Sequence, residues 1–431
     1  MVYMAMGLGF TAASVILLKS VVNSRLRFAF VLVLLALSKT FIDWSTSGLE
    51  NPMLCFLAAV FFYRYMKPGS SSRKIFTLSL TASAAMLTRL DSALLFIFPL
   101  AYSLWENKKT SGALACAAGF LPLLCWEAFS MFYYGFPLPN TFYAKMAGGF
   151  SIFKYMGSGL YYFFDSTRFD FLTTAVMAAG IGLPFYSRRN DPEGKKMMMP
   201  AAGVLLYLLY FIRIGGDFMQ GRFFAVPFFI CVMVLARQKE LYWAKTFIPA
   251  LLLCFMLAMA PPSYSFLLDS LEGNENKSVP AREFYAPGSG LKKMIEEGNT
   301  GMAYNTFVAT ALKWKHDAAS SRQVYSIHSL GFPGYFAGPK VHIVDRLGLS
   351  DAFLSHLKGK FFEKAGHIYR DLPEGYMESI KTGKNMIKDR NLAEYYDKIS
   401  LITSGRLTDP ERFRAILKMN TGQYDYLLKG K

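Results

Sequence analysis

Charged side chains are scarce in this sequence: Asp, Glu, Lys and Arg make up 18% of its 431 residues, against 53% hydrophobic and 16% aromatic. That balance excludes an ordinary soluble enzyme of this length and points to a chain that crosses a membrane several times. Negative charge is the scarcer sign, with 30 acidic residues against 47 Lys and Arg and a formal net charge of +17. Nucleic acid is nevertheless not the implied partner. No basic run is interleaved with aromatics; the basic clusters sit between apolar stretches, where membrane topology accounts for them.

Cysteine is sparse as well. Cys55, Cys116, Cys125, Cys231 and Cys254 all fall in apolar segments, with no CxxC and no paired framework, and read as small core hydrophobes. Histidine is absent before His316; His316, His328, His342, His356 and His367 follow at spacings that match no common zinc site. There is no P-loop, HExxH, GxSxG or GxGxxG in a βαβ setting, and no visible repeat of solenoid length. No cofactor is therefore implied by a motif. A divalent cation held by carboxylates stays open, because such a site needs no recognisable pattern.

What the sequence does have is about ten apolar stretches of roughly spanning length. They lie near 3–20, 27–42, 52–65, 75–88, 91–105, 112–133, 171–187, 199–212, 223–236 and 246–268. Their connectors alternate between two chemical types. "NSRLR" (23–27), "KPGSSSRK" (67–74), "ENKKTSG" (106–112), "SRRNDPEGKK" (187–196) and "ARQKELYWAK" (236–245) are basic and are expected in the cytoplasm. "DWSTSGLENP" (43–52), "TRLDS" (88–92), the segment 134–170 and "RIGGDFMQGR" (213–222) carry Gly, Pro, amides, acids and isolated arginines, and are expected outside.

The tail after about Pro262 then also lies outside. Its polar composition, helical stretches such as "GSGLKKMIEEGN" and short apolar runs "VYSI" and "VHIVD" suggest a small α/β domain. The expected fold is a polytopic α-helical membrane protein. Residues 1–268 would form the transmembrane domain and 269–431 an extracytoplasmic C-terminal domain. The same parity puts Met1 outside with neither signal peptide nor basic leader, so either the first stretch is not a span or sequence lies upstream.

Ionisable groups near a membrane are expensive, so their placement bears on function. Asp43, Glu50, Arg89, Asp91, Lys145, Arg213, Asp217 and Arg222 all fall at or just beyond span ends on the predicted outer side. Each alone could simply meet water. As a group they are less ordinary: Gly215 and Gly216 allow close backbone approach, Gln220 and Arg222 surround one carboxylate with donors, and an arginine such as Arg89 can hold a phosphate bidentately. "YYGFPLPNTFYAK" (133–145) supplies aromatics that suit either an interfacial belt or sugar stacking, with Asn140 and Lys145 as polar contacts. A carboxylate base, cations for a departing phosphate and an apolar groove together suit sugar transfer from a lipid phosphate. A transporter or flippase of lipid-linked glycans is the alternative, kept open by Pro122 and Glu127 inside one apolar stretch. A chain that only binds lipid or glycan is a third.

"STSGLENPML" (45–54), "LTRLDSALL" (87–95), "YYGFPLPNTFYAK", "GGDFMQGRFF" (215–224) and "VDRLGLSD" (344–351) stand in an order that resembles the GT-C-fold terminal β-(1→2)-arabinofuranosyltransferases of actinobacterial cell walls. The resemblance implies a polyprenyl-phosphate arabinofuranose donor, a membrane lipid environment and an extracytoplasmic glycan acceptor. It also implies site residues: Asp217 as the consequential carboxylate, Ser47, Glu50, Arg89, Asp91, Asn140, Lys145 and Arg222 toward the donor, and Asp345 and Asp351 toward the acceptor. The family carries its catalytic aspartate in a large first outer loop that nothing in this sequence matches, so the main base is expected upstream of Met1, or else another carboxylate serves.

Overall fold

Apolar runs rich in Leu, Ala, Phe and Met fold as helices in the computed structural model. It describes residues 2–22, 24–186, 192–237, 253–256, 295–296, 306–319, 321–364 and 366–429. The chain divides into two compact units, one of Met1–Trp126 with Tyr155–Arg282 and one of Glu127–Lys154 with Glu283–Lys431. The expected boundary at 268/269 lies outside the described residues. So do most of the stretch 246–268, the connector 238–245, residues 187–191 and nearly all of "GSGLKKMIEEGN".

In the first unit the helices are α1 (Val2–Val21), α2 (Arg25–Leu37), α3 (Lys39–Ser45), α4 (Asn51–Met66), α5 (Ser72–Thr88), α6 (Ala93–Asn107) and α7 (Thr110–Gly119). After α8 (Leu121–Tyr133) and α9 (Asn140–Met146) follow α10 (Ile152–Phe169), α11 (Phe171–Tyr186), α12 (Pro192–Ile214) and α13 (Ala225–Ala236). Their boundaries follow local chemistry. Pro52 sits in the first turn of α4, where its missing N–H costs nothing. Ser71 caps α5 by accepting from Lys74 N at 3.2 Å.

Helix α13 is apolar on every side, and all of its residues are buried. A helix of that kind belongs at the centre of a bundle, and α2, α4, α11 and α12 pack around it. "RIGGDFMQGR" leads straight into this helix, so the polar connector is tied to a fully buried element of the unit.

Among the described residues, two helices, Val2–Val21 and Glu193–Ile214, are long and apolar enough to cross a membrane by themselves. Two bent pairs pass the same test together: α7 with α8, bent by 48°, and α10 with α11, bent by 111°. By length and composition this gives two to four spans; other expected spans, such as those at 52–65, 75–88 and 91–105, are apolar helices of 16, 17 and 15 residues. The segment 134–170, expected as an outer connector, carries the helices α9 and α10. Gly159 of α10 lets that helix approach α12 so closely that a Cβ there would lie 2.1 Å from Ile212 O. Of the cysteines expected in the core, Cys125 is exposed.

The sharp bend between α10 and α11 is held by the buried Asp170. Its Oδ2 accepts from Thr173 Oγ1 at 2.6 Å, Thr40 N at 2.8 Å and Ser38 Oγ at 3.2 Å, and its Oδ1 accepts from Thr173 N at 3.1 Å. One carboxylate thus satisfies donors at the start of both α3 and α11, where the helix dipole favours negative charge. Asp170→Ala leaves those donors without an acceptor and is expected to lower the unfolding free energy by about 2 kcal/mol in detergent. An unchanged unfolding midpoint would remove Asp170 from the account of the bend.

The second unit has α/β content. Strands β1 (Gln323–Ile327) and β2 (Val341–Asp345) pair in parallel, with the short helix Gly331–Phe336 between them. β3 (Phe361–Lys364) and β4 (His367–Tyr369) form an antiparallel pair. The helices Arg390–Ser404 and Pro410–Asn420, capped by Asp389 and Asp409, close a core around Phe353, Tyr376, Tyr395, Ile402 and Ile416. Arg412 is wholly buried, and its guanidinium donates to Ile402 O, Phe132 O and Tyr133 O, each at 2.8 Å. The last two are carbonyls of the final turn of α8, which a helix leaves without internal partners.

Candidate functional site

Five of the residues singled out in the sequence meet in the first unit. Glu50 lies at the N-terminus of α4, Arg89 at the C-terminus of α5, Asp91 in the short turn before α6, and Asp217 and Arg222 in the connector before α13. Arg89 holds Asp91 bidentately, Nε to Oδ1 at 2.7 Å and Nη2 to Oδ2 at 2.9 Å. Its Nη1 donates to Glu50 Oε1 at 2.9 Å. Arg222 approaches the same Glu50 from the other side, with Nη2 at 2.9 Å from Oε1 and 3.1 Å from Oε2 and Nε at 3.2 Å from Oε1. Its Nη1 donates to Asp217 Oδ2 at 3.0 Å. The result is a chain of charges, Asp91, Arg89, Glu50, Arg222, Asp217, with Glu50 at the centre.

Two guanidinium groups face three carboxylates, a formal excess of one negative charge. One carboxylate can therefore take a proton without leaving an arginine unpaired. Glu50 pairs with both arginines: burial pushes its carboxyl up, but Arg222 and Arg89 more than offset this and hold it below the usual value. The side chains are 10–23% exposed, so the network is reachable from solvent but poorly screened. Of five N–H groups on each arginine, Arg89 uses three, leaving two, and Arg222 uses at most four, leaving at least one. Arg89 also lies over the Phe223 ring, with Cζ 4.3 Å from its centroid.

The connector carrying Asp217 and Arg222 is shaped by its glycines, of which the sequence singled out Gly215 and Gly216, and by Trp44, Ser158, Tyr162 and Asp165, which it did not. Gly215, Gly216 and Gly221 adopt φ of 96°, 71° and 70°, the left-handed region that glycine favours. Ser158 Oγ donates to Gly215 O at 3.0 Å, and Trp44 Nε1 to Gln220 O at 3.1 Å. Gln220 Nε2 donates to Asp165 Oδ2 at 2.6 Å. Tyr162 bridges the connector, its hydroxyl donating to Met219 O and accepting from Phe223 N, both at 3.1 Å. Asp217 Oδ1 accepts from Phe218 N at 2.7 Å, so both of its oxygens have a partner.

The remaining expected site residues are placed differently. Ser47 Oγ donates to Trp44 O and accepts from Leu49 N, both at 3.2 Å, so this hydroxyl shapes the turn before α4. Asn140, Lys145, Asp345 and Asp351 belong to the second unit. Asp345 ends β2, as its sequence setting predicts, and its oxygens accept from Leu347 N, Ser350 N and Ser350 Oγ. Asp351 accepts from Phe353 N, Leu354 N and Tyr376 OH. Both carboxylates are buried and hold the loop after β2 in shape, a role the acceptor-contact expectation did not anticipate. No group of three or more His, Cys, Asp or Glu among the described residues is arranged to hold a metal ion. In the charged chain the carboxylate oxygens face guanidinium groups instead.

The architecture is therefore mostly helical, with several apolar helices of the kind membranes accommodate. No protein-family model and no solved structure matches the chain. It is similar to the terminal β-(1→2)-arabinofuranosyltransferase of Mycobacterium tuberculosis, 27% identical over 220 residues, a match covering 43% of this chain and 34% of that protein. The chain thus spans about a third of the length of the relative it matches, and the relationship is distant.

Proposed function

We propose that this chain is a membrane glycosyltransferase of GT-C type, moving arabinofuranose from a polyprenyl-phosphate donor to an extracytoplasmic glycan. The observation that carries the reading is the similarity to the mycobacterial arabinofuranosyltransferase. The charged chain of Asp91, Arg89, Glu50, Arg222 and Asp217 gives it a chemical basis. Sugar transfer from a lipid phosphate needs cations for the departing phosphate and a carboxylate to take the proton of the acceptor hydroxyl. Arg89 and Arg222 have N–H groups to spare for the phosphate, and the excess carboxylate supplies the acceptor's base.

In this scheme Glu50, bound by both arginines, orients them, and Asp217, bound by Arg222 alone of the two, takes the proton. Two buried polar atoms adjacent in sequence to the network are left unsatisfied. Asn51 Nδ2 and Ser92 Oγ, next in sequence to Glu50 and Asp91, have no hydrogen-bond partner among the described residues. The test is transfer from a radiolabelled decaprenyl-phosphate arabinofuranose by purified Asp217→Asn protein. A fall of about 100-fold or more in kcat, with the unfolding midpoint little changed, is expected of a base. Full activity would remove Asp217 from the mechanism.

A further inference from the structure

Helices α4 and α5 carry the Glu50 and Arg89 ion pair at one end and a second polar construction at the other. α4 has 16 residues, so its two ends are about 24 Å apart. The turn joining the far ends encloses a cavity of about 340 Å³ lined by Arg64, Lys67, Pro68, Ser71, Arg73 and Lys74. Four of these six residues are cationic. Among the described residues none of the four has an ion pair with a carboxylate, in contrast to Arg89 and Arg222 at the opposite end, each of which pairs with two acids.

Three features distinguish this cavity from a solvated basic patch. Lys74 is only 8% exposed, and its Nζ donates to Lys67 O at 2.6 Å and Gly69 O at 3.0 Å. An ammonium has three donors, so one remains. Lys196 of α12 reaches the same turn, its Nζ 3.4 Å from Lys67 O, and adds a further positive charge. The N-terminus of α5 opens at Ser71, so the helix dipole adds to the positive field. Burial and then Lys196 lower the Lys74 ammonium to about 8, whereas Glu106 of α6 acts the other way and Arg64 adds to the lowering. Concentrated like charge around a partly enclosed space is self-repulsive, and an anion held there relieves it.

We propose that this cavity binds a phosphate group, using Arg64 and Arg73 as the charged clamp, Lys74 as the buried contact and the α5 N-terminus as the floor. Either an anionic phospholipid headgroup or a soluble phosphate has the required chemistry. Guanidinium groups match phosphate oxygens geometrically, and lysine adds a point charge.

The test uses the full chain purified in detergent and reconstituted in nanodiscs, as wild type and as the double variant Arg64→Gln with Arg73→Gln. Arg73 is exposed and Arg64 half-buried, so the fold should tolerate both changes. Inorganic phosphate is titrated while the thermal unfolding midpoint is followed. In parallel, native mass spectrometry reads lipid retention from nanodiscs of phosphatidylglycerol and of phosphatidylcholine. The expected result is an apparent phosphate affinity at least about tenfold weaker in the variant, or phosphatidylglycerol retention that the variant loses. The first outcome identifies a soluble phosphate and the second a lipid headgroup. Binding of phosphate should also weaken between about pH 7 and about pH 9 as Lys74 loses its proton. Wild type and variant that match in both arms would overturn the proposal.

Discussion

Glu50→Gln is expected to reduce sugar transfer by about 100-fold or more and to destabilise the first unit by about 2 kcal/mol. Both effects follow from its central place. The carboxylate accepts from both arginines at 2.9 Å, and an amide of the same shape offers one acceptor oxygen and turns its NH₂ toward guanidinium N–H groups. With the amide oxygen in the Oε1 position the Arg222 Nη2 contact to Oε2 is lost, and without the central charge Arg89 keeps only Asp91 and Arg222 only Asp217 as an anionic partner. The two cations would then lose their fixed spacing, and with it the positioning that a departing phosphate requires. Chemical denaturation and donor-transfer kinetics on the same preparation separate the two effects. Wild-type kcat in a fully folded Glu50→Gln protein would sink the idea that Glu50 orients the arginines.

The same residue sets an expected pH dependence. In the fold the Glu50 carboxyl lies below its ordinary value of 4.5, held there by Arg222 and Arg89 against burial. Its stabilising contribution is therefore fully present above about pH 4.5 and is lost as the pH falls through the lower folded value. Glu50→Gln has no such segment in its stability curve, so the difference between wild type and variant should shrink on acidification below pH 4.5 and stay constant above it. A difference that grew on acidification would mean that another carboxylate governs this region.

Much of this architecture was legible because it rests on local pattern. The apolar stretch 223–236, expected as a span, contains the helix α13. "VYSI" and "VHIVD" read as strands and form the parallel pair. Glu50, Arg89, Asp91, Asp217 and Arg222 stood out as charges in short connectors between apolar runs. Their pairing was not legible, because Glu50 is separated in sequence from Arg89 by 39 residues and from Arg222 by 172. The supports of the connector were hidden for the same reason. Tyr162 and Asp165 lie in a segment that reads as a loop, and one tyrosine among many aromatics carries no signal of its own. Asp345 illustrates a different limit: a carboxylate at a strand end can contact a ligand or shape a turn. In the fold its oxygens accept from the loop's own N–H groups.

Gly216→Ala is expected to impair transfer nearly as much as the loss of a charged group, although it removes none. The backbone at Gly216 has φ of 71°, and a Cβ built there would lie 2.5 Å from Tyr162 Cβ, a distance that real Cβ atoms do not tolerate. Tyr162 cannot simply move aside. Its hydroxyl ties Met219 O to Phe223 N, and Phe223 lies beneath the Arg89 guanidinium. Displacing the tyrosine therefore shifts Phe223 and the backbone that carries Asp217 and Arg222. A left-handed alanine alone costs about 1 kcal/mol, and the steric conflict should bring the total to about 3 kcal/mol. Gly383→Ala provides the comparison, since φ there is also 71° but nothing lies within 4 Å of the added carbon. The difference in unfolding free energy between the two variants isolates the Tyr162 contact, and transfer activity should fall only in Gly216→Ala. If the two variants were equally stable and equally active, the connector would adapt to the methyl group, and its glycine-shaped form would not be what positions Asp217 and Arg222.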